Sequence, residues 1–258
     1  MPTRFWIEQW AAWAPGIESQ VQWRQWLAAP SFPISDGVAP LAEMPAMMRR
    51  RIEPLGRAAL QTAYALQATE TATAAIDSCP VVFASRWGEL ARSVGMLEQL
   101  ALGQPLSPTA FSLSVHNAIG ALYSIARHDR ANYLAVSAGE HSAEAGFAEA
   151  QGLLADGATA VLLVYFDAPL PASFAQFSAT ATPGQQFLHA WACLLRPAGT
   201  ASQAAKGQGL LNLQACRQAL IAQGRAPELG ADLKTLEFLI GDAATLNHGR
   251  WCWTRDAG

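Results

Sequence analysis

A short apolar strand, a tight turn, a long helix and a second apolar strand follow one another between Tyr133 and Phe166. The first strand ends in a run of small residues, an Ala-rich segment then extends to Asp156, and Gly157 stops the helix. A strand that feeds through a sharp turn into a helix is how many α/β enzymes present a nucleophile. This stretch therefore predicts an α/β fold built around such a turn.

Glu140 occupies the elbow of the predicted turn. The N-terminus of a helix offers N–H donors and the positive end of the helix dipole, so a carboxylate is favourably placed there. At neutral pH, however, a carboxylate is a weak nucleophile. The stretch thus has the layout of a nucleophile elbow with an unusual residue at the nucleophile position.

The elbow resembles that of the β-ketoacyl synthases, in the thiolase-like superfamily, where a strand ending in Ser-Thr-Ala leads to a catalytic Cys. On that pattern Glu140 takes the place of the Cys, and the helix and Gly157 keep the family spacing without a gap. The segments Phe111 to Ala118 and Phe187 to Leu195 resemble the parts of the family on either side of the elbow. The resemblance covers roughly Arg4 to Pro197.

The resemblance implies an α/β, thiolase-like fold that comprises the N-terminal half only. We expect a mixed five-stranded sheet flanked by helices over residues 1–197, and a short C-terminal appendage at 198–258 packed on the same domain. Within the appendage we expect an amphipathic helix at 211–223, a mixed segment at 231–240 whose second half could be a strand, and a loop around His248.

Local patterns predict the elements at the N-terminus. Residues 4–13 have the pattern of a strand. A helix capped by Ser19 or Glu18 should follow. Its apolar side should carry Val21, Trp23, Trp26 and Leu27. A longer helix is expected at 47–75, interrupted at Pro54.

Two departures from the family pattern bear on function. The nucleophilic Cys is absent, and so is the C-terminal half in which the family keeps its two catalytic His residues. The chain therefore resembles the short, noncatalytic chain length factors, and in particular the half-length partners found in aryl polyene pigment clusters. This implies no enzymatic activity of its own, a heterodimer with a full-length β-ketoacyl synthase in the cytoplasm, and contact with an acyl carrier protein directly or through that partner.

The resemblance also implies site residues, each weighed against an ordinary structural role. Candidates to line the acyl tunnel, or else to be simple core, are Met96, Leu100, Phe111 and Leu113. The strand before the elbow is expected at the sheet edge, where an apolar strand needs a partner. Candidates for that dimer interface are Tyr133, Leu134, Ala135, Val136 and Ser137. Candidates to dock an acyl carrier protein, or else a solvated or salt-bridged helix turn, are Arg49, Arg50 and Arg51.

Glu140 has three candidate roles. Its carboxylate could accept hydrogen bonds from elbow N–H groups, which is the role we expect first. It could instead form a salt bridge with a partner subunit, or promote decarboxylation of a malonyl group.

Two other classes of function stay open at this point. A hydrolase or esterase could use Glu140 with His141 and Ser142, or Ser137 with His116, although Ser137 does not lie in a G-x-S-x-G motif. A free-standing scaffold that binds acyl carrier protein is the other alternative.

Composition excludes several partners. The chain is 51% hydrophobic and 14% charged with nine Trp residues, which suits a large core or a permanent interface. A net charge of −3 argues against nucleic acid. We expect no nucleotide cofactor, no metal, no signal peptide and no membrane span. The four cysteines, Cys79, Cys193, Cys216 and Cys252, lack metal-type spacing and are expected to be reduced core thiols.

Overall fold

The described strands form one mixed sheet of seven strands in the order β3-β2-β4-β5-β1-β6-β7. The computed structural model describes residues 3–32, 36–67, 79–178, 187–199, 209–220 and 229–256. The strands are β1 (Phe5–Trp13), β2 (Val81–Ala84), β3 (Tyr133–Val136), β4 (Val161–Asp167), β5 (His189–Pro197), β6 (Leu211–Leu220) and β7 (Thr245–Arg255). β2 runs parallel to β3 and β4, and the other neighbouring strands are antiparallel. The predicted mixed sheet is confirmed, with seven strands where five were expected.

Eight α-helices flank this sheet within the described residues. They are α1 (Gln20–Ala28), α2 (Ala46–Arg49), α3 (Pro54–Gln67), α4 (Leu90–Ala101), α5 (Pro108–Ser112), α6 (Ala118–Arg127), α7 (Ser142–Ala155) and α8 (Ala231–Ile240), with a 3₁₀ helix at Ala172–Ser178. None of the helices in these ranges combines the length and the apolar character that crossing a bilayer requires.

The sheet separates two hydrophobic layers. β2 and most of β4 are buried on both faces, as expected for near-continuous apolar strands covered by helices. One layer holds residues of α1, α7 and α8, and the other holds residues of α3 and α6. The helix after the elbow, α7, therefore lies against the centre of the sheet.

The N-terminal elements follow their sequence signals closely. The Ser19 hydroxyl accepts a hydrogen bond from the Gln22 N–H while the Gln22 side chain accepts one from the Ser19 N–H, a capping box that starts α1. Trp23, Trp26 and Leu27 are buried as predicted. Val21 is 64% exposed, so its placement on the apolar side was wrong, because it lies around the helix from the other three.

Pro54 begins a helix instead of interrupting one. It is the first residue of α3, a position where its missing N–H costs no helical hydrogen bond. The predicted helix over 47–75 is thus two helices, α2 and α3, and residues 68–75 lie outside the described part of the chain.

The helix predicted at 211–223 is wrong, because the described part of this segment is strand β6. Leu211 and Leu213 are buried while Asn212 and Gln214 are more exposed, which is the two-residue alternation of a strand. β6 pairs with β7 along most of its length and touches β1 at one residue.

Two further expectations for the C-terminal segment are corrected. Residues 231–240 form one helix throughout, because Leu233, Leu236 and Leu239 recur at helical spacing on its buried side. His248 lies in β7 and not in a loop. Both segments pack on the same core as α7.

The expectation of four reduced thiols is also wrong. Cys216 and Cys252 form a disulfide between β6 and β7, with Cα atoms 5.7 Å apart. Cys79 and Cys193 are buried and lie outside this disulfide. The pairing was missed because the two residues are far apart in sequence and become neighbours only through the antiparallel pairing of β6 and β7.

Substituting alanine for two glycines of α7 should change the free energy of unfolding in opposite directions. A Cβ on Gly146 would lie 3.0 Å from the Cβ of Ala84 and 3.2 Å from Leu163 Cδ1, whereas Gly152 has open space around it. We expect Gly146→Ala to lower the free energy of unfolding by about 1–3 kcal/mol through overpacking. Gly152→Ala should raise it by up to about 1 kcal/mol through helix propensity. Urea denaturation of both variants measures this, and equal shifts would contradict the close packing of α7 on the sheet.

Candidate functional site

The turn between β3 and α7 is closed by the side chain of Ser142. The buried Ser142 hydroxyl accepts a hydrogen bond from the Ala138 N–H at 2.9 Å and donates one to the Gly139 carbonyl at 2.7 Å. Gly139 has φ 63°, in the left-handed region that favours glycine. The predicted strand, sharp turn and helix are therefore present, with residue 140 at the elbow.

Glu140 projects from the elbow toward solvent. Its side chain is 53% exposed, and its Oε1 lies 3.7 Å from Nε2 of His141. Of the elbow N–H groups, that of Ala138 donates to the Ser142 hydroxyl, and those of His141 and Ser142 donate to the carbonyls of Ala138 and Gly139. For the Ala138 N–H, the hydroxyl of Ser142 is thus the acceptor and not the carboxylate of Glu140.

The residues of the hydrolase alternative do not come together. The Ser137 hydroxyl donates to the Arg86 carbonyl at 3.0 Å, whereas Nε2 of His116 lies 3.1 Å from the Ser85 carbonyl. Ser142 is fully buried and held within the turn. In the described ranges no serine hydroxyl is hydrogen-bonded to a histidine, so neither Ser137 nor Ser142 is paired with a histidine there.

A cluster that the sequence did not predict lies directly beside the elbow. It joins His141, at the start of α7, and Glu144, in the first turn, to His248 of β7. Nδ1 of His248 lies 3.4 Å from Oε1 of Glu144, and Nδ1 of His141 lies 4.0 Å from Oε2. The three-residue spacing of His141 and Glu144 could have indicated the site, but His248 was expected in a loop of the C-terminal appendage.

The tunnel candidates lie on or near an exposed apolar surface. Leu100 and Phe111 are 59% and 63% exposed, and Met96 and Leu113 are half-buried. More than half of the exposed large apolar side chains in the described ranges lie in this part of the chain. We name this group the α4–α5 surface, and it consists of Leu97, Leu100, Leu102, Leu106, Phe111 and Val115. Such a concentration of exposed apolar groups is typical of an interaction site.

β3 is the edge strand that the sequence predicted. Within the described residues it pairs only with β2, and Ala135 and Ser137 are exposed while Tyr133, Leu134 and Val136 are half-buried. The N–H groups of Val81 and Ser85 donate to the carbonyls of Asn132 and Val136. Because backbone groups alternate sides along a strand, those of Tyr133 and Ala135 point away from β2.

The three consecutive arginines, Arg49, Arg50 and Arg51, differ in their surroundings. Nη1 of Arg49 donates to the Leu41 carbonyl at 3.0 Å, so this guanidinium serves the fold. Arg50 and Arg51 are exposed at the end of α2.

None of the four cysteines is set up as a nucleophile. Burial raises the pKa of Cys79 to about 11 and also raises the pKa of Cys193, and the other two residues form the disulfide. Because the thiolate is the reactive form, a raised pKa leaves these buried thiols inert at neutral pH.

A buried polar network links the sheet to α8. His189 of β5 lies between the Phe187 carbonyl, 2.9 Å from Nδ1, and Asp232 of α8, 2.7 Å from Nε2. Burial by itself lowers the pKa of His189, but the charge and hydrogen bond of Asp232 outweigh it and raise the pKa above 6.5. Nearby, burial raises the pKa of Asp167 to about 6, although a hydrogen bond from Tyr165 lowers it.

The sheet and elbow together define a thiolase-like ketosynthase fold. The family described as Beta-ketoacyl synthase, N-terminal domain matches residues 23–254, and the chain belongs to this family. The match runs past Pro197, where the resemblance in the sequence ended, and includes α8 and most of β7.

Solved structures share this fold. A chain of the ketosynthase (ApeO) in complex with its chain length factor (ApeC) from Xenorhabdus doucetiae is 27% identical, with TM-score 0.76 over 98% of this chain and 99% of that one. The ishigamide ketosynthase/chain length factor is 17% identical, with TM-score 0.62 over 83% and 68%. AntDE:AntF, a type II PKS acyl-carrier protein in complex with its ketosynthase, is 12% identical, with TM-score 0.61 over 84% and 70%. A search among curated proteins found no match.

The His189–Asp232 pair should make stability depend on pH. A histidine whose pKa is raised by folding stabilises the protein fully below about pH 6.5, and this contribution is lost as the pH rises through its folded pKa. We therefore expect His189→Gln to lower the melting temperature more at about pH 6 than at about pH 9. His128→Asn, at an exposed helix end, is the matched control and should change both values equally. An equal loss at both pH values for His189→Gln would contradict the raised pKa.

Proposed function

We propose that this chain is a noncatalytic subunit of the chain length factor type. It pairs with a full-length β-ketoacyl synthase in a type II polyketide or fatty-acid-like pathway of the aryl polyene kind, and it shapes the tunnel that receives the growing acyl chain.

The observation that carries the proposal is the chemistry of the elbow. The fold builds the strand, turn and helix that present a nucleophile in the family, and it places the exposed carboxylate of Glu140 there. No cysteine elsewhere supplies the missing thiolate, because two are buried with raised pKa values and two form a disulfide. A condensing enzyme needs a thiolate, so these facts support a role without acyl transfer.

Similarity to a solved ketosynthase–chain length factor complex over the whole chain supports a subunit of the chain length factor type. The likeness to a chain of the ApeO–ApeC complex extends over nearly the full length of both chains, so this chain has the size of a member of such a complex. The neighbours under 25% identity support the fold alone.

Two surfaces fit the proposed pairing. β3 lies at the edge of the described sheet, and its backbone groups at Tyr133 and Ala135, which point away from β2, can pair with a strand of the partner. The Ser137 hydroxyl, hydrogen-bonded to the Arg86 carbonyl, ties the end of this strand to the segment that leads into α4. The α4–α5 surface offers exposed apolar side chains suited to a partner and an acyl chain. Arg50 and Arg51 are the remaining candidates to dock an acidic carrier protein.

Pairing through β3 can be tested with proline at two adjacent positions. Ala135→Pro removes an N–H that points away from β2, so the chain should keep its melting temperature while losing about 10- to 100-fold in affinity for a coexpressed ketosynthase. Leu134→Pro removes an N–H that faces β2 and should instead lower the melting temperature of the chain itself. Size-exclusion chromatography and a binding titration measure the pairing. If Ala135→Pro binds the ketosynthase with wild-type affinity, β3 is not part of the interface.

The tunnel role predicts changes in product length. In the reconstituted pair, Phe111→Ala should lengthen the acyl product by at least one elongation step, because the side chain no longer fills the tunnel, and Leu100→Trp should shorten it. Phe177→Ala trims a comparably exposed ring elsewhere and serves as the control. Mass spectrometry of the released products is the measurement. Unchanged products from both variants, or ester hydrolysis by the chain alone that disappears in Ser137→Ala, would overturn the proposal.

A further inference from the structure

We propose that His141, Glu144 and His248 bind one divalent transition-metal ion, with zinc best suited to the ligands. The ion would join β7 to the start of α7 directly beside the elbow. This inference goes beyond the proposed function and does not depend on pairing with a ketosynthase.

The three side chains converge from two distant parts of the chain. His141 and Glu144 lie three residues apart at the start of α7, which places them on one side of the helix. His248 reaches the same point from β7, and its ring centroid is 4.7 Å from that of His141. One ligand atom from each residue can be chosen so that all three lie within 4.8 Å of one another.

The distances between the ligand atoms suit an ion after small adjustments. Metal bonds of about 2.0–2.1 Å in tetrahedral geometry hold neighbouring ligand atoms about 3.3 Å apart. The contact between His248 Nδ1 and Glu144 Oε1 is 3.4 Å, and that between His141 Nδ1 and Glu144 Oε2 is 4.0 Å. The longer of the two contacts would have to shorten by about 0.7 Å to match this spacing.

The ligand atoms lack the hydrogen bonds that buried polar atoms normally make. The Glu144 side chain is fully buried, and its Oε2 has no hydrogen-bond partner, while Oε1 accepts one from the Thr235 hydroxyl at 3.1 Å. Nδ1 of His141 and Nδ1 of His248 are also buried without a hydrogen-bond partner. Leaving three such atoms unsatisfied is costly, and one cation between them satisfies all three.

The backbone of β7 comes as close to His141 as a glycine permits. A Cβ on Gly249 would lie 2.5 Å from Cε1 and Nε2 of the His141 ring, and Gly249 has φ 56°. This close approach holds the neighbouring His248 against the start of α7. The site is therefore built by the packing of two elements and not by a mobile surface loop.

The donor types favour zinc or a similar transition metal. Two imidazole nitrogens and one carboxylate oxygen are a common zinc ligand set, with a further position left open to water. The side chains of His141 and His248 are 25% and 15% exposed, so water can reach this position.

Glu140 gains a role in this arrangement. Histidines that bind a metal through one ring nitrogen usually direct the other N–H at a carboxylate or carbonyl. Oε1 of Glu140 lies 3.7 Å from Nε2 of His141, the ring nitrogen that does not face Glu144. The residue at the family's nucleophile position would thus orient a metal ligand.

The test is a zinc titration of the untagged full-length chain after chelator treatment, read by competition with a chromophoric chelator. We expect one ion per wild-type chain and affinities at least about 100-fold weaker for His248→Gln and Glu144→Gln, more than the loss of an outer-shell partner causes. Glu140→Gln should weaken binding by about 10-fold. His128→Asn, an exposed histidine outside the cluster, is the matched control and should bind as the wild type does.

The outcomes separate the proposal from its alternatives. No binding by the wild type, or wild-type affinity in both His248→Gln and Glu144→Gln, would overturn it, the latter because the ion then sits elsewhere. If those variants do not fold, NMR of the five histidines in the wild-type chain decides. Zinc should shift the Nδ1 resonances of His141 and His248 alone, and shifts confined to other histidines would refute the site.

Discussion

The ring of Phe147 in α7 packs against aromatic side chains of three strands, β1, β5 and β7. It is fully buried in α7, with its centroid 5.7 Å from Phe5 of β1, 6.1 Å from Trp191 of β5 and 4.9 Å from Trp253 of β7. Aromatic pairs contribute about 0.5–1.5 kcal/mol each beyond the area they bury. Because the elbow is the start of the same helix, its position depends on this cluster, which includes both the N-terminal and the C-terminal strands.

The sequence predicted the elements whose signals are local. Ser19 was one of two predicted caps of α1, and the structure shows it in a capping box with Gln22. The small residues before Glu140 indicate a sharp turn. The C-terminal segment was harder because its structure depends on pairing. The alternation at Leu211 and Leu213 is short, and only the neighbouring β7 settles it as a strand. The disulfide of Cys216 with Cys252 depends on the same pairing.

The site was predicted in outline and not in its contacts. The resemblance placed Glu140 at the elbow and β3 at the sheet edge, and both positions are as expected. It could not indicate that Ser142 closes the turn, since that depends on where a hydroxyl points. Nor could it bring His248 to Glu144, because the segment around His248 was predicted to be a loop, whereas it is strand β7 of the sheet.

The place of β1 in the sheet has a consequence for biosynthesis. Among the described strands this one comes first in the sequence, yet it lies between β5 and β6, and its Phe5 is opposite both Pro197 and Leu211. During synthesis β1 therefore cannot form these pairings until β5 and β6, which lie far downstream in the sequence, have been made. Folds that rely on such distant pairings form slowly and expose apolar strands meanwhile.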